Sequence, residues 1–188
     1  GSEGNNKYIE IYNGSDVSVD LSEYYMMQNS NGGPWDEYVD QLTGTLASGD
    51  VYVIANSGSN EGILAEADLL GSGICFFNGD DARALVKIIG TDTTIIDYIG
   101  DFPDDPGSGW SVGGVDNATA NQTLVRKSYV QSGNAGDWVN SAGTTLEDSE
   151  WFIADAPTND YTPPTIGSHE MDEEEEGVYF TEDFEGAF

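Results

Sequence analysis

Short runs in which apolar and polar residues alternate make up most of the chain. The first, at residues 8–12, places Ile9 and Ile11 on one side and Glu10 between aromatic residues on the other. This period of two predicts a strand with one buried face. Similar strand-like runs occur at residues 17–21, 24–28, 51–56, 93–99, 123–130 and 150–154. With Gly, Asn and Asp turns between them, these runs predict an all-β sandwich of about eight to ten short strands.

The stretch 76–87 predicts a hairpin at the centre of this fold. Asn78-Gly79 supplies two residues that tolerate positive φ, as a tight turn between paired strands requires. Residues 76–77 would form the incoming arm and residues 83–88 the outgoing arm. The outgoing arm carries Ala84, Val86 and Ile88 on its core side and Arg83, Leu85 and Lys87 on its mostly solvated side.

Three segments depart from the strand pattern. Residues 58–70 have apolar residues at roughly helical spacing, so this segment predicts either a loop or at most one short helix. Residues 29–36 and 101–114 are rich in Gly, Pro and polar residues and predict surface loops, which carry Trp35 and Trp110.

The charge is strongly one-sided. The 188 residues contain 35 Asp and Glu against five Lys and Arg, a net charge of −30. Binding to nucleic acid or to an anionic lipid surface depends on basic side chains, so neither partner is expected. No apolar run has the length of a membrane span, so membrane insertion is not expected either. The acidic, Asn- and Thr-rich composition is typical of exported bacterial proteins, and we expect a secreted, periplasmic or cell-surface location.

The composition also divides the chain. Residues 1–156 carry all the basic residues, whereas 157–188 hold ten acids and no Lys or Arg. We expect one domain over 1–156 and an acidic linker over 157–177, because such a segment buries too little apolar area to offset its ordering entropy. Residues 178–188 are apolar again, which suggests either the start of a second β domain or a tail strand docking on the first.

Several motifs resemble one family when they are taken in order. The opening Tyr8-Ile9-Glu10-Ile11-Tyr12-Asn13 with Val19-Asp20-Leu21-Ser22 is similar to the start of the lamin tail domain, an immunoglobulin-like module. Residues 77–82 with Leu85, and then 96–100, resemble its central hairpin and the strand after it. The closing part is represented by residues 123–126 and Trp138. Glu23 departs from the family pattern, which commonly has a glycine there.

The resemblance implies an immunoglobulin-like sandwich that serves as a non-catalytic interaction module beside adjacent domains of the same polypeptide. Filament assembly and chromatin binding are not implied, because the chain has no heptad rod and no basic targeting signal. Residues 180–186 similarly resemble the first strand of the jelly-roll domains that follow such modules in secreted bacterial proteins.

The chain has few of the residue types that catalysis and zinc binding commonly use. His169 is the only histidine and lies in the predicted linker, and Cys75 is the only cysteine, so histidine triads, zinc sites and disulfides are not expected. We expect Cys75 to be a buried small side chain. A hydrolase based on two carboxylates remains a distant alternative.

Two sets of residues are candidates for binding. Asp80, Asp81 and Asp116 could offer carboxylate ligands to calcium. The alternative is that Asp80 and Asp81 cap a turn and that Asp81 pairs with a basic side chain. That base would be Arg83 or another one, and Arg126 and Lys127 would be natural partners.

Trp35 and Trp110 could stack on sugar rings in a carbohydrate-binding module, with or without the help of calcium, or could pack under their own loops. Trp138 and Trp151 lie in strand-like settings and are expected in the core. No cofactor other than calcium is suggested, and the protein or glycan partner is not identified by the sequence.

Overall fold

The computed structural model describes residues 3–71, 73–155 and 165–171. Within them the chain forms eleven strands and two short α-helices. In chain order the elements are β1 (Tyr8–Tyr12), β2 (Val19–Asp20), β3 (Tyr24–Gln28), β4 (Tyr38–Gln41), β5 (Thr45–Leu46), β6 (Val51–Asn56), α1 (Glu61–Ala65), β7 (Leu69–Gly71), β8 (Arg83–Ile89), β9 (Asp92–Ile99), β10 (Gln122–Arg126), α2 (Trp138–Ala142) and β11 (Trp151–Asp155). The predicted all-β class is confirmed.

Two sheets face each other across what we call the inner core. One has the strand order β1-β6-β7 and the other β4-β3-β8-β9, and both contain antiparallel pairs. Apolar residues from the facing sides meet between them, because alternation sends Ile9 and Ile54 from the first sheet and Met26 and Leu85 from the second to the same side. The inner core contains Leu21, Met26, Leu42, Leu46, Tyr52, Ile54, Ile74 and Cys75, with Ile9, Ile11 and Leu85 packed against it. This is the expected immunoglobulin-like sandwich.

The second face of the β4-β3-β8-β9 sheet is also covered. Met27, Ala84 and Val86 point away from the inner core and contact residues that follow β9 in the chain. We call this cluster the outer core; it contains Met27, Ala82, Ala84, Val86, Tyr98, Trp110, Val112, Ala118, Trp138, Ala142 and Trp151. The two-stranded sheet β10-β11 and helix α2 supply its outer side. Over residues 83–86, the β8 strand is therefore covered on both faces.

The predicted hairpin at 76–87 is wrong. Residues 76–77 belong to no strand, and β8 pairs instead with β3 on one edge and with β9 on the other. Gly79 does have a positive φ of 120°, but a Cβ there would lie 2.6 Å from the Cβ of Ala120, so the glycine permits a close approach between two loops. Of the pair Asn78-Gly79, only Gly79 has a positive φ, so the tight hairpin turn does not form and long-range strand pairing decides the topology.

The second face of β8 was also misjudged. Its expected solvated side carries Arg83 and Leu85, yet Arg83 is only 7% exposed and Leu85 packs on the inner core. Alternation shows which residues share a face, but not whether another layer covers that face.

Two helices are present where at most one was expected. Asn60 caps α1 by accepting from the backbone N–H of Ile63, within the segment whose spacing allowed a helix. Asp137 caps α2 by accepting from the backbone N–H of Asn140, next to Trp138, for which a strand-like setting was expected. Trp138 is thus a core residue, as expected, but on a helix. No helix in the described part of the chain has the length and apolarity needed to cross a membrane.

Candidate functional site

A cavity of about 330 Å³ lies beside β1, between that strand and residues of β8, β9 and β10. The loop before β8 and residues of the segment 165–171 also contribute to its wall. Its apolar lining includes Ile9, Met26 and Leu85. Its charged lining falls into a basic end, around Arg83, and a second group around Glu10.

The guanidinium of Arg83 lies at the basic end and is only partly satisfied. Its Nη1 donates to the backbone oxygen of Asp81 at 2.9 Å. Its Nε and Nη2 are buried and have no hydrogen-bond partner among the described residues. The Phe77 ring lies against the guanidinium, with 3.8 Å between Cζ and the ring centroid. Burial lowers the pKa of Arg83 to about 10, which leaves it charged at neutral pH.

The Lys7 ammonium is the second cation of this end. It lies 5.4 Å from the centroid of the same Phe77 ring. Burial, followed by the positive charge of Arg83, lowers the pKa of Lys7. Two of the five basic side chains of the protein thus lie around one aromatic ring, in the wall of one cavity.

The neighbouring Asp81 carboxylate is used by the backbone. Its Oδ1 accepts from the N–H of Asn31 at 3.2 Å and its Oδ2 from that of Asn78 at 3.3 Å. Burial raises the pKa of Asp81, while the nearby charge of Arg83 opposes that rise. The carboxylate therefore ties two loops together, as the turn-capping alternative proposed, and Arg83 reaches the Asp81 main chain.

The other group centres on Glu10 in β1. Its Oε2 accepts from the backbone N–H of Gly167 at 2.8 Å. Burial is the main reason why the pKa of Glu10 is raised to about 7, and the negative charge of Glu66 adds to the effect. Tyr12 and His169, each two positions after Glu10 and Gly167 respectively, also contact each other, with ring centroids 4.9 Å apart. Residues 165–171, inside the predicted linker, thus lie against β1; the linker's remaining residues, 157–164 and 172–177, lie outside the described residues.

Arg126 also lines the cavity, but it is fully engaged. Both carboxylate oxygens of Asp97 accept from its Nη2 at 2.5 Å, Glu150 accepts from its Nη1, and its Cζ lies 3.9 Å from the Trp151 ring centroid. Lys127 is buried and donates to the backbone oxygen of Leu146 at 2.7 Å. Neither residue pairs with Asp81, so the expectation that they were its natural partners is wrong.

The candidate calcium ligands occupy different settings. Asp80 and Asp81 are both 5% exposed, and Asp80 Oδ1 has no hydrogen-bond partner in the described structure. Asp116 is exposed and accepts from the Ser111 hydroxyl at 3.1 Å. Within residues 3–71, 73–155 and 165–171, no group of three or more His, Cys, Asp or Glu side chains could hold a metal ion.

The candidate sugar-binding tryptophans both pack on the outer core. Trp110 is 8% exposed and belongs to that core. Trp35 is half-buried, with ring centroids 5.4 Å from Tyr98 and 5.1 Å from Phe102. These positions match the alternative in which each ring packs under its own loop. Trp110 in particular has no exposed ring face on which a sugar could stack.

Sequence reasoning missed the basic end of the cavity. A faint signal was present, because the stretch around Phe77 carries two of only five basic residues, Arg83 and Lys87. Of these, Lys87 pairs with Glu23 at the surface, at 3.4 Å, and the cation that joins Arg83 is Lys7. Lys7 lies just before β1, 70 positions before Phe77 and 76 before Arg83, and no local sequence pattern connects Lys7 to either residue. Cys75 is fully buried, as expected, and burial raises the pKa of its thiol to about 12.

Comparisons with known proteins give one result. A family model described as Lamin Tail Domain matches residues 1–101. The searches of curated proteins and of solved structures found no match. The matched range contains the two facing sheets and the inner core, and ends after β9, so the β10-β11 sheet and α2 lie beyond it. Since the match covers more than half of the chain and agrees with the immunoglobulin-like sandwich, the chain belongs to the lamin tail domain family.

Proposed function

We propose that this chain is a non-catalytic interaction module of a larger exported protein and acts outside the cell or at the cell surface. The observation that carries the proposal is the family match over residues 1–101, because it suggests an immunoglobulin-like interaction module. Domains of this kind hold recognition surfaces on a rigid sandwich. The surrounding domains of the same polypeptide would then determine where the module acts.

The arrangement of layers restricts where recognition can occur. The inner core covers one face of the β4-β3-β8-β9 sheet and the outer core covers the other. Most of this sheet is therefore closed to a partner. The exposed strand β4, the side of β11 that carries the exposed Phe152, the loops and the cavity beside β1 remain accessible. We include residues 1–156 in one domain, since the outer core joins residues on both sides of position 101.

The electrostatics favour a neutral or cationic partner. Arg83 and Lys127 are buried, and Arg126 is held by two carboxylates. Lys87 pairs with Glu23, and Lys7 is half-buried. With a net charge of −30, the outer surface offers almost no basic side chain to a phosphate backbone. This supports a protein partner over nucleic acid.

Carbohydrate binding has less support than protein binding, because Trp110 lies in the outer core and Trp35 is half-buried. A glycan array tests it, with Trp35→Ala as the matched variant. Calcium is tested separately by adding millimolar calcium to chelated protein, since an ion bound only by the folded state raises the melting temperature. The proposal predicts no glycan signal and no change in melting temperature.

Two experiments test the main proposal. Protease added to intact cells that express the natural protein should digest the module, whereas protection until the cells are lysed would place it inside and contradict the proposal. A panel of generic glycosides, esters and phosphodiesters should remain unhydrolysed. Turnover that is lost on replacing a pair of carboxylates would establish an enzyme instead.

A further inference from the structure

The second edge of strand β1 faces the cavity. In the sheet order β1-β6-β7, β1 lies at one end, so no strand of the described residues pairs with this edge. Every residue of β1 lines the cavity, from Tyr8 to Tyr12. Neighbouring side chains of a strand point to opposite faces, so a cavity that touches all of them lies along an edge of the strand. Since β6 takes one edge, the cavity lies along the other.

The backbone groups at this edge are placed to pair with a further strand. The backbone oxygen of Lys7 accepts from the N–H of Asn56, so the odd-numbered residues along β1 bond toward β6. The backbone N–H and C=O groups of Glu10 and Tyr12 therefore point to the cavity side. All residues of β1 are partly exposed, and an open edge of this kind is a template for strand addition.

The segment 165–171 already runs beside β1. Its contacts with Glu10 and Tyr12 follow in the same order along both stretches of chain, so it runs parallel to the strand. Its last residue, Met171, lines the cavity. Residues 172–177 are five acids and a glycine, a composition that suits a solvated turn. A chain that turns back over these residues comes to the edge antiparallel to β1.

Residues 178–188, which lie outside the described residues, have the alternation of a strand. The more apolar side consists of the even-numbered positions, which include Val178, Phe180 and Phe184. The seven residues from Met171 to Val178 span at most about 25 Å, so the chain can reach the edge. A cavity of about 150 Å³ accommodates one benzene ring. The volume of about 330 Å³ is therefore sufficient for the Phe180 ring and a second apolar side chain.

One register matches both the apolar and the charged positions. Ile9 packs on the inner core, so the tail residue opposite Ile9 must come from the apolar side of the tail. In antiparallel pairing, Phe180 opposite Ile9 brings Glu182 opposite Lys7. Lys7 lines the cavity and is half-buried. This register therefore gives Glu182, the one acid on the apolar side, a counter-charge on the same face.

We propose that residues 178–188 of this chain add to the free edge of β1 as an antiparallel strand, with Phe180 in the cavity opposite Ile9 and Glu182 opposite Lys7. The tail then closes the open side of the inner core and covers an edge that would otherwise pair with other chains. The proposal does not rest on the proposed interaction function. A partner that used this edge would have to displace the tail.

Amide hydrogen exchange in the full chain tests the proposal, with NMR as the readout at Glu10 and Tyr12. Phe180→Ala should accelerate exchange at both amides about 10-fold or more, because it removes the main apolar contact that holds the tail in place. The amides of Ile9 and Ile11 bond toward β6 and should keep their rates, which shows that the variant remains folded. Tyr179→Ala, on the opposite side of the tail, is the matched control and should leave all these rates unchanged.

An exchange of charges tests the register. Glu182→Lys should accelerate exchange at Glu10 about 2- to 5-fold, since like charges directly opposite each other are destabilising. Adding Lys7→Glu to this variant should restore the wild-type rate. A rate that is not restored would refute the register.

Three further results would overturn the proposal. Exchange at Glu10 and Tyr12 that is equally fast in the wild type and in Phe180→Ala would show that the tail does not pair with β1. An equal acceleration by Tyr179→Ala would refute the assigned side of the tail. Protection that rises with protein concentration would show that the added strand comes from a second copy. None of these outcomes depends on cellular location or hydrolytic activity, so the two proposals fail separately.

Discussion

The backbone N–H of Gly167 donates to the Glu10 carboxylate at 2.8 Å, across 157 positions of the sequence. This contact fastens the segment 165–171 to the first strand of the sandwich. Burial, with the charge of Glu66 nearby, raises the pKa of Glu10 to about 7, while the hydrogen bond from Gly167 opposes that rise. The ionisation of Glu10 therefore couples the pH to the stability of the folded chain.

Glu10→Gln should change how stability depends on pH. The folded carboxyl keeps its proton up to about pH 7, whereas its ordinary pKa is 4.5. The wild type consequently loses stability between pH 4.5 and 7, because the unfolded chain releases this proton more readily. Gln does not ionise, so the variant should match the wild type near pH 4.5 and exceed it by about 1 kcal/mol at pH 8, after allowance for partial exposure. Urea unfolding at both pH values measures this.

The control for that prediction is Glu147→Gln, at an exposed position. It should shift stability little at either pH. A Glu10→Gln effect of equal size at pH 4.5 and pH 8 would contradict the raised pKa.

Gly167→Ala should detach the segment 165–171 from β1. Gly167 has a φ of +83°, and a Cβ would lie 2.5 Å from Oε2 of Glu66. His169 would then lose the burial and the nearby Arg126 charge that lower its pKa, and that pKa should rise toward 6.5. Because His169 is the only histidine, its imidazole signals give an unambiguous NMR titration.

Gly107→Ala is the matched control, since Gly107 has a similar φ of +76° with nothing within 4 Å of its added Cβ. It should leave the His169 titration unchanged. An unchanged titration in Gly167→Ala as well would mean that Gly167 does not hold the segment in place.

Arg126→Met should be strongly destabilising. The Arg126 side chain is 13% exposed, and it joins Asp97 and Glu150, whose side chains are 30% and 33% exposed. Its loss leaves two partly buried carboxylates without a counter-charge, which should cost about 3 kcal/mol. Lys87→Met removes a pair whose side chains are 33% and 48% exposed and should cost under about 1 kcal/mol. Equal losses in urea unfolding would contradict this ranking.

Trp110→Ala should destabilise the fold by about 3 to 5 kcal/mol, the range for a buried large-to-small change. The indole packs in the outer core and against Gly100, where an added Cβ would lie 2.7 Å from its ring. Trp110→Phe should cost clearly less, because it keeps an aromatic ring and removes the Nε1 donor, which has no partner in the described structure. Thermal unfolding of both variants measures the difference, and a small loss for Trp110→Ala would contradict a core role.

Strong local patterns predicted the strands well. The expected strands at residues 24–28 and 51–56 match β3 and β6 at both ends, because both runs are apolar and β-prone and end at turns. The family resemblance was also readable from short motifs in their order. The β4 strand was missed because it is mostly exposed and has little apolar pattern to detect.

Long-range contacts explain what the sequence could not predict. β8 pairs with β3, about 60 positions earlier, and the dipeptide Asn78-Gly79 contains no information about that pairing. The basic end of the cavity joins Lys7 to Arg83 through Phe77, which only the folded chain brings together. Arg83 itself could not be recognised as buried, because the layers on both sides of β8 come from distant parts of the chain.

The double covering of β8 also determines how the molecule opens. Its amides bond to β3 and β9, and its side chains are shared between the inner and outer cores. Deuterium can reach the Val86 amide only when both packed layers separate, so its exchange rate reports global unfolding. Among the described residues, the slowest-exchanging amide protons are therefore expected in this strand, and loosening of the outer core alone should leave them protected.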